Sequence, residues 1–409
     1  MAGSTPSTGL GSILANRRFS AWLGSQFASN LGYAAWSIAV LWLAYQISGT
    51  LLLPALVMFV QYGIYSLTFI AGPFVDRIRD KRTVFLIVLP LQAVVATVVG
   101  VAVFTGSFSV VPLLGAVVVM ALLDDFWWTA GNTVPRILVG KDDLLRANGV
   151  QSAVTGGGSL AGYAVGAALL VLAGPDGGAF LRAAMLVTAT VLIVPVGLLS
   201  APAAERRLFR NLVEGWSILG RGKGRPLLQI GALFAAEGFF LGAPALLITL
   251  FAHREFGGSS HVYGLLFTTY MVGAIASGLV VGRANPRRFV GRLLVGATVA
   301  EGAAIALAVA ALPQLLPSAG VWFLVGLTSG IPATLLYSYL QATAPPDAVG
   351  RVVSNFELFP AAASAFGAIA LGLLATALPP ALLGDGVGLG LVGAGIVALA
   401  VPVVRGMRF

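Results

Sequence analysis

Cysteine is absent from this chain of 409 residues, histidine occurs twice, and charged residues make up only 10%. The lack of cysteine excludes disulfides, iron–sulfur clusters and a thiol nucleophile, and two histidines give no basis for expecting a metal or a cofactor. A soluble domain has about a quarter of its residues charged. The low charge, 58% hydrophobic residues and a mean hydropathy of +0.94 therefore exclude a soluble fold and predict a surface that mostly contacts lipid.

Long apolar segments fill most of the sequence. A helix needs about 20 mostly apolar residues to cross a bilayer, and twelve segments meet this condition. They are 19–47, 53–75, 83–105, 110–136, 147–173, 179–200, 226–252, 261–282, 289–312, 320–343, 351–376 and 387–404. The predicted fold class is an all-α polytopic membrane protein with twelve transmembrane helices, called spans 1 to 12. The connections are too short for a soluble catalytic domain and no nucleophile lies beside a base, so we do not expect an enzyme.

Basic residues are distributed unevenly between the two sides of the membrane. With the N-terminus in the cytoplasm, 22 of the 24 Lys and Arg residues fall on the cytoplasmic side, and only Arg182 and Arg254 fall on the other. This asymmetry determines orientation, so we expect a multi-pass protein of the cell membrane with both termini in the cytoplasm. The net charge of +9 then reflects orientation and contact with anionic lipid, and does not indicate nucleic-acid binding.

The sequence contains an internal repeat of half its length. The loops after spans 2 and 8 match with a shift of 206 positions, and the loops after spans 4 and 10 match with a shift of 205. The matching pairs are Gly72 and Gly278, Arg77 and Arg283, Lys81 and Arg287, Arg82 and Arg288, Asp142 and Asp347, and Arg146 and Arg351. The repeat predicts two pseudo-symmetric six-helix halves, as in secondary transporters that bind their substrate between the halves near the bilayer midplane.

Charge and hydropathy give the boundaries of these parts. We predict a cytoplasmic tail at 1–18, halves at 19–200 and 226–404, a cytoplasmic linker at 201–225 and a short cytoplasmic tail at 405–409. The linker places apolar residues along one helical face with arginines around it, which indicates an amphipathic helix on the inner leaflet. A helix that binds a protein partner is the alternative.

Three loop sequences resemble a known family. Residues 72–82, Gly-Pro-Phe-Val-Asp-Arg-Ile-Arg-Asp-Lys-Arg, are similar to the loop signature of the major facilitator superfamily. Leu144–Gly149 and Pro346–Val352 are similar to stretches of the macrolide-efflux type of drug:proton antiporter. The resemblance implies the twelve-helix major facilitator fold, a monomer, and alternating access by rocking of the halves. The gating residues that it implies are Gly72, Asp76, Arg77, Lys81, Arg82, Arg146, Arg283 and Arg351.

The sequence also departs from this family pattern at three places. Gly32-Tyr33 stands where many relatives have Gly-Asp, and the span 5 motif, Gly162 to Gly166, lacks the proline of antiporters. Arg182 stands where relatives often have an acid at the start of span 6. The departures leave proton coupling open without affecting the fold.

Polar residues follow one helical face in spans 1, 2, 4, 5, 8, 10 and 11, whereas spans 3, 6, 9 and 12 have no such stripe and are expected to face lipid. The stripes predict a central cavity, with hydrogen bonding between helices as the alternative. Aromatic side chains near the stripes suit a hydrophobic, amphipathic or cationic substrate. The candidate substrate-binding residues are Asn30, Tyr33, Trp36, Gln61, Tyr65, Trp128, Asn132, Phe240, Tyr263, Tyr270 and Tyr337.

Five acids lie inside the spans. An ionised carboxylate near the bilayer centre is costly, so such an acid is neutral, paired or hydrated, and one that changes its protonation state is suited to carry a proton. Asp125 is the first candidate, because it lies near mid-depth on the polar face of span 4, while Asp124 points about 100° away and is expected to tune it. Glu237 is the second candidate and Glu357 lies nearer the cytoplasmic end. We expect Glu301 to face away from the pathway.

The combined interpretation is a multidrug exporter that exchanges a hydrophobic or amphipathic organic compound for protons. Its expected partners are this small molecule, protons and the lipid bilayer. A transporter of a lipid-like or siderophore-like metabolite without proton coupling is the alternative, since the departures from the family pattern fall in spans 1, 5 and 6.

Overall fold

The computed structural model describes residues 14–68, 74–75, 77–139, 143–197, 199, 225–284, 289–343 and 349–407. The predicted amphipathic linker helix and the loop residues Gly72 and Asp76 lie outside this part. Within it the chain is helical and contains no strand. The backbone thus satisfies its hydrogen-bonding groups inside each helix, as a lipid environment requires.

Twelve spans account for most of the described helices. They are α1 (Arg17–Ser48), α2 (Leu52–Tyr65), α3 (Lys81–Phe104), α4 (Val110–Gly131), α5 (Leu144–Leu172), α6 (Pro175–Ile193), α7a (Arg225–Leu241) and α7b (Ala243–Arg254), α8 (Ser260–Ala284), α9 (Val290–Ala310), α10 (Leu315–Thr343), α11 (Val349–Leu374) and α12 (Pro380–Ala400). The short helices Val134–Leu138 and Pro402–Gly406 follow α4 and α12. Within the described residues, eleven helical stretches are long and apolar enough to cross a membrane, and α2 is a shorter apolar helix of 14 residues.

The predicted all-α class is confirmed, but several helix boundaries differ from the prediction, as at α12 and α2. Helix α12 begins at Pro380 rather than at residue 387, because proline is well accommodated at the first helical position. Gly384, Asp385 and Gly386 interrupt the apolar run there and lower the hydropathy of a segment that is nevertheless helical. Helix α2 ends at Tyr65 and not at residue 75.

The helices pack in two groups. In the first, α1 lies against α5 and α6, α3 packs on α4 and α6, and α2 contacts α1 and α4. In the second, α8 packs on α10, α9 on α10 and α12, and α7a on α11. The groups meet mainly where α2 contacts α11 and α5 contacts α8. This grouping supports the two halves predicted from the repeat.

Glycines allow α5 to approach α1 closely. A Cβ atom added at Gly158 would lie 2.7 Å from the carbonyl oxygen of Phe27, and one at Gly162 would lie 2.8 Å from the Cβ of Ala34. Such distances are too short for side-chain atoms, so the glycine stripe of α5 acts in helix packing, as small residues do in membrane interfaces.

We expect Gly162→Ala to destabilise the protein, because the methyl group would force α5 away from α1 at a cost of about 1–3 kcal/mol. Gly157→Ala is the matched control, since a Cβ there meets nothing within 4 Å, and alanine in a helix is favoured by about 0.5–1 kcal/mol. Thermal unfolding in detergent should therefore give a lower melting temperature than wild type for Gly162→Ala and a higher one for Gly157→Ala. Equal melting temperatures would contradict the packing argument.

Candidate functional site

A cavity of about 490 Å³ opens at the centre of the molecule. Side chains of α1, α2, α4, α5, α6, both parts of α7, and α8 form its wall, so helices of both groups contribute to it. Its volume is in the usual range of small-molecule sites, about 300–1,000 Å³.

Six of the eleven predicted substrate-binding residues line this cavity: Asn30, Tyr33, Gln61, Tyr65, Trp128 and Tyr270. Trp36 is instead buried in packing, the Tyr263 hydroxyl donates to the Ile38 carbonyl at 3.2 Å, and the Phe240 ring lies against Gly390. None of these three is among the residues that line the cavity, because an aromatic side chain fills a helix interface as readily as a cavity wall. Asn132 lines a second, smaller cavity, and the side chain of Tyr337 lies outside the described part.

Further cavity residues were not among the predicted site residues. Tyr62, Trp127, Tyr163 and Phe267 line the same wall, with the rings of Tyr163 and Phe267 5.4 Å apart. Tyr163 lies on the same face of α5 as the polar stripe that predicted the cavity. The helical spacing of that stripe was therefore enough to identify Tyr163 as a cavity residue.

Asp124 and Asp125 both reach the cavity, from adjacent positions of α4. Asp124 accepts hydrogen bonds from Gln92 of α3 at 2.7 Å and from Arg182 of α6 at 2.8 Å. Asp125 is 7% exposed and accepts a hydrogen bond from Thr68 at 2.5 Å. Although adjacent helical side chains diverge by about 100°, the cavity is wide enough for both to line it.

Arg182 is the main correction to the sequence analysis. Its side chain is 1% exposed and lies within α6, rather than at the outer surface where the charge count placed it. One terminal nitrogen pairs with Asp124 and the other donates to the Ser29 carbonyl at 2.7 Å, while the guanidinium lies 5.6 Å from the centre of the Tyr33 ring. The ion pair offsets the desolvation of the arginine, so the charge remains inside the span.

Spans 3 and 6 were expected only to face lipid, but each also has an inner face that contacts the rest of the first helix group. Helix α6 exposes Val187 and Val191 on its outer face, and α3 exposes Val94 and Val98. Their inner faces carry Arg182 and Gln92, which hold Asp124. Periodicity missed this arrangement because one polar residue in a helix makes no stripe.

The acids of the second helix group lie away from the central cavity. Glu237 of α7a accepts a hydrogen bond from Thr298 of α9. Glu301 follows Thr298 by one helical turn and is 5% exposed, so it is buried among the helices and does not face lipid. Glu357 of α11 is half-buried and does not line the cavity either.

The two helix groups are joined at the end of the molecule where α1 ends and α8 begins. The His253 ring of α7b lies between Trp42 and Tyr45 of α1, with a centroid distance of 4.0 Å to each. Arg254 donates to the Tyr45 hydroxyl at 2.9 Å. A Cβ at Gly372 of α11 would lie 3.3 Å from the Cα of Leu52. With the predicted orientation, this is the outer end.

Comparison with known proteins identifies the family. The sequence profile of the family described as transmembrane secretion effector matches residues 11–407. The chain belongs to this family of major facilitator transporters. It is therefore a membrane transporter and not an enzyme. No curated protein matches the chain significantly by sequence.

Solved transporters share the fold at low sequence identity. The nucleoside transporter NupG has a TM-score of 0.71 and 12% identity over 93% of this chain and 98% of that one. A POT family transporter in complex with 5-aminolevulinic acid has a TM-score of 0.76 and 11% identity over 93% and 95%. A bacterial homologue of the human lysosomal transporter Spinster, in an inward-facing and unoccupied conformation, has a TM-score of 0.68 and 15% identity over 97% of this chain and 95% of that one. Each likeness shows the fold alone.

Two of the gating candidates, Lys81 and Arg82, stabilise the start of α3. Lys81 is 2% exposed and donates to the Val75 carbonyl at 2.5 Å, and Arg82 donates to the Val194 carbonyl at 2.7 Å. Asp80, which the sequence analysis did not assign, caps α3 by accepting from the backbone of Arg82 and also accepts from that of Leu199 at 2.8 Å. These contacts tie α3 to the end of α6.

The remaining gating candidates are at the surface or outside the described part. Arg77 lies 5.7 Å from the centre of the Phe74 ring, Arg146 pairs with Asp143 on the same helix at 3.6 Å, and Arg283 is exposed at the end of α8. The side chain of Arg351 is not described. A gating role for all eight residues stays a prediction.

Arg182→Met should destabilise the transporter by about 3 kcal/mol, because removing one member of a buried ion pair leaves the other charge without compensation. Adding Asp124→Asn removes that charge and should restore most of the melting temperature. Arg146→Met breaks an exposed pair worth about 0–1 kcal/mol and is the control. Failure of the double variant to recover would show that the arginine stabilises by packing.

Tyr45→Phe should open the outer end more often, because it removes a hydrogen bond to a charged group worth about 1.5 kcal/mol, or roughly a tenfold change in the ratio of states. The chain has no native cysteine, so spin labels at Thr50→Cys and His261→Cys report the distance across this end by pulsed electron resonance. Tyr339→Phe, in the last part of α10, is the control. An unchanged distance distribution would contradict the role of Tyr45.

Proposed function

We propose that this transporter exports hydrophobic or amphipathic, drug-like organic compounds in exchange for protons, in the manner of the macrolide-efflux antiporters that its loops resemble. The observation that supports this most is Asp125, a buried acid on the wall of an aromatic cavity, with no cationic partner among the described residues. The cell membrane, cytoplasmic termini and a monomeric state belong to the same proposal.

The wall of the central cavity favours a large apolar substrate. Aromatic rings from five helices line it, including Tyr33, Tyr62, Tyr163 and Tyr270. Such rings offer broad apolar contact and attract cations through their faces. The transporter should therefore prefer a flat, lipophilic compound, and a cationic one above a neutral one.

The charges in the wall support exchange for a proton. Arg182 balances Asp124, whereas Asp125 has the hydroxyl of Thr68 and no cation as its partner within the described part of the chain. A buried carboxylate without a counter-ion is costly in a low-dielectric wall. Asp125 is therefore stable either when protonated or when a cationic substrate lies beside it, and these two states exclude each other. Glu237, bonded to Thr298 in the other half, is the second candidate for the proton.

Asp125→Asn should abolish the coupling of transport to a proton gradient. We would reconstitute the transporter in liposomes, impose a pH gradient and follow the movement of a lipophilic dye cation. Wild type should transport the dye and dissipate the pH gradient as it does so. Asp125→Asn should lower this gradient-driven rate at least tenfold, because the cavity then lacks its carboxyl group without a described cationic partner. Glu237→Gln tests the second candidate.

Glu255→Gln is the matched control, since Glu255 is exposed in the turn after α7b and should leave the rate unchanged. Transport by wild type that does not depend on the gradient would contradict antiport. Gradient-independent transport that also prefers a long acyl chain would favour a lipid-like substrate instead.

A further inference from the structure

A second cavity of about 320 Å³ lies beside the central one, within the first helix group. Helices α1, α4 and α5 form most of its wall, and Trp127 and Trp128 of α4 line both cavities. The two indole rings therefore separate neighbouring cavities, and a compound in the central cavity reaches the second one where these rings move aside. The function proposed above assigns no role to this space.

The described wall of the second cavity is polar without being charged. Its described lining residues include no Asp, Glu, Lys or Arg, but four carboxamides and two hydroxyls. These six residues are Gln26, Asn132, Asn148, Gln151, Ser152 and Thr155. In this respect it differs from the central cavity, whose wall holds two acids and an arginine. A charged ligand group would find no counter-ion in this wall, so the cavity favours an uncharged one.

Two polar groups in this wall have no partner in the described structure. Gln26 is 3% exposed, its carboxamide makes no hydrogen bond, and the side chain lines the cavity. The indole nitrogen of Trp127 is buried and also unbonded. By contrast, Gln151 already accepts a hydrogen bond from Trp22 at 3.1 Å. The carboxamide of Gln26 lines the cavity without a hydrogen-bond partner among the described residues, so it can donate to and accept from a ligand there.

The chemistry of the wall narrows the class of this ligand. A carboxamide both donates and accepts hydrogen bonds, as a hydroxyl group does, so four carboxamides can pair with several hydroxyls at once. Trp127 and Trp128, with ring centroids 6.4 Å apart, add flat apolar faces. Hydroxyl edges and an apolar ring face occur together in a sugar.

We infer that the second cavity binds an uncharged, hydroxyl-rich group, such as a sugar ring, carried by a compound whose apolar part occupies the central cavity. Gln26 and Asn132 provide hydrogen bonds that select this group, and the two tryptophans contact its ring face. The inference rests on the proposed function, because it takes the central cavity as the site of the apolar part. It makes glycosylated amphipathic compounds the preferred substrates.

The test compares two ligands that differ only in the hydroxyl-rich group. Binding of 2-naphthyl β-glucoside and of 2-ethoxynaphthalene is measured by calorimetry on the full-length transporter in lipid nanodiscs. We expect the glucoside to bind about tenfold more tightly, the effect of one or two net hydrogen bonds. Gln26→Leu and Asn132→Leu should each remove most of this preference and leave the affinity for the ethyl ether unchanged.

Two features keep the result interpretable. Asn132 is exposed, so Asn132→Leu is a test that does not depend on the folding of the buried Gln26 variant. Gln314→Leu makes the same chemical change at an exposed carboxamide between α9 and α10 and should retain the full preference. A preference that survives both cavity substitutions, or equal affinity of wild type for both ligands, would overturn the inference.

The outcome is separable from that of the proposed function. Gradient-driven dye transport with equal binding of the two ligands would leave the exporter proposal intact and reject the sugar site. A glucoside preference without gradient-driven transport would support the sugar site and reject proton-coupled export. Binding of neither ligand would overturn the inference as well.

Discussion

A charged side chain inside a lipid-embedded helix must find a partner, because the surrounding hydrocarbon offers none. In this transporter the requirement centres on Arg182 and Asp124. The arginine also binds the backbone of α1 through Ser29, and the aspartate also binds Gln92 of α3. Four helices of the first group, α1, α3, α4 and α6, are thereby held in one arrangement, and the wall of the central cavity is built on it.

The same pairing determines which charge remains available for function. Asp124 and Asp125 are neighbours in sequence and both reach the cavity, but Arg182 neutralises only the first. The second acid has the hydroxyl of Thr68 as its partner and no described counter-ion, which is why we propose it as the proton carrier. Two identical side chains thus differ in role through their environment, a structural one beside the arginine and a proposed functional one beside Thr68.

Much of the fold could be predicted from sequence because lipid imposes simple rules on composition and length. The twelve segments, the short loops and the repeat all express these rules, and six of the proposed cavity residues followed from helical periodicity. The role of Arg182 could not follow in this way, since periodicity describes one helix at a time and an ion pair joins two. Trp36 and Tyr263 were misassigned for a related reason, because residue type does not distinguish a helix interface from a cavity.

The contacts between the helix groups explain how such a rigid half can still move against the other. Within the groups, glycines bring backbones together over whole helices, as Gly158 and Gly162 do between α5 and α1. Between the groups at the outer end, the closure includes stacking of His253 on α1 and one hydrogen bond from Arg254 to Tyr45. Contacts of this kind contribute about 1–3 kcal/mol each, comparable to the few kcal/mol that separate interconverting states. The interface between the groups can therefore exchange its contacts while the interior of the first group keeps the Arg182 network intact.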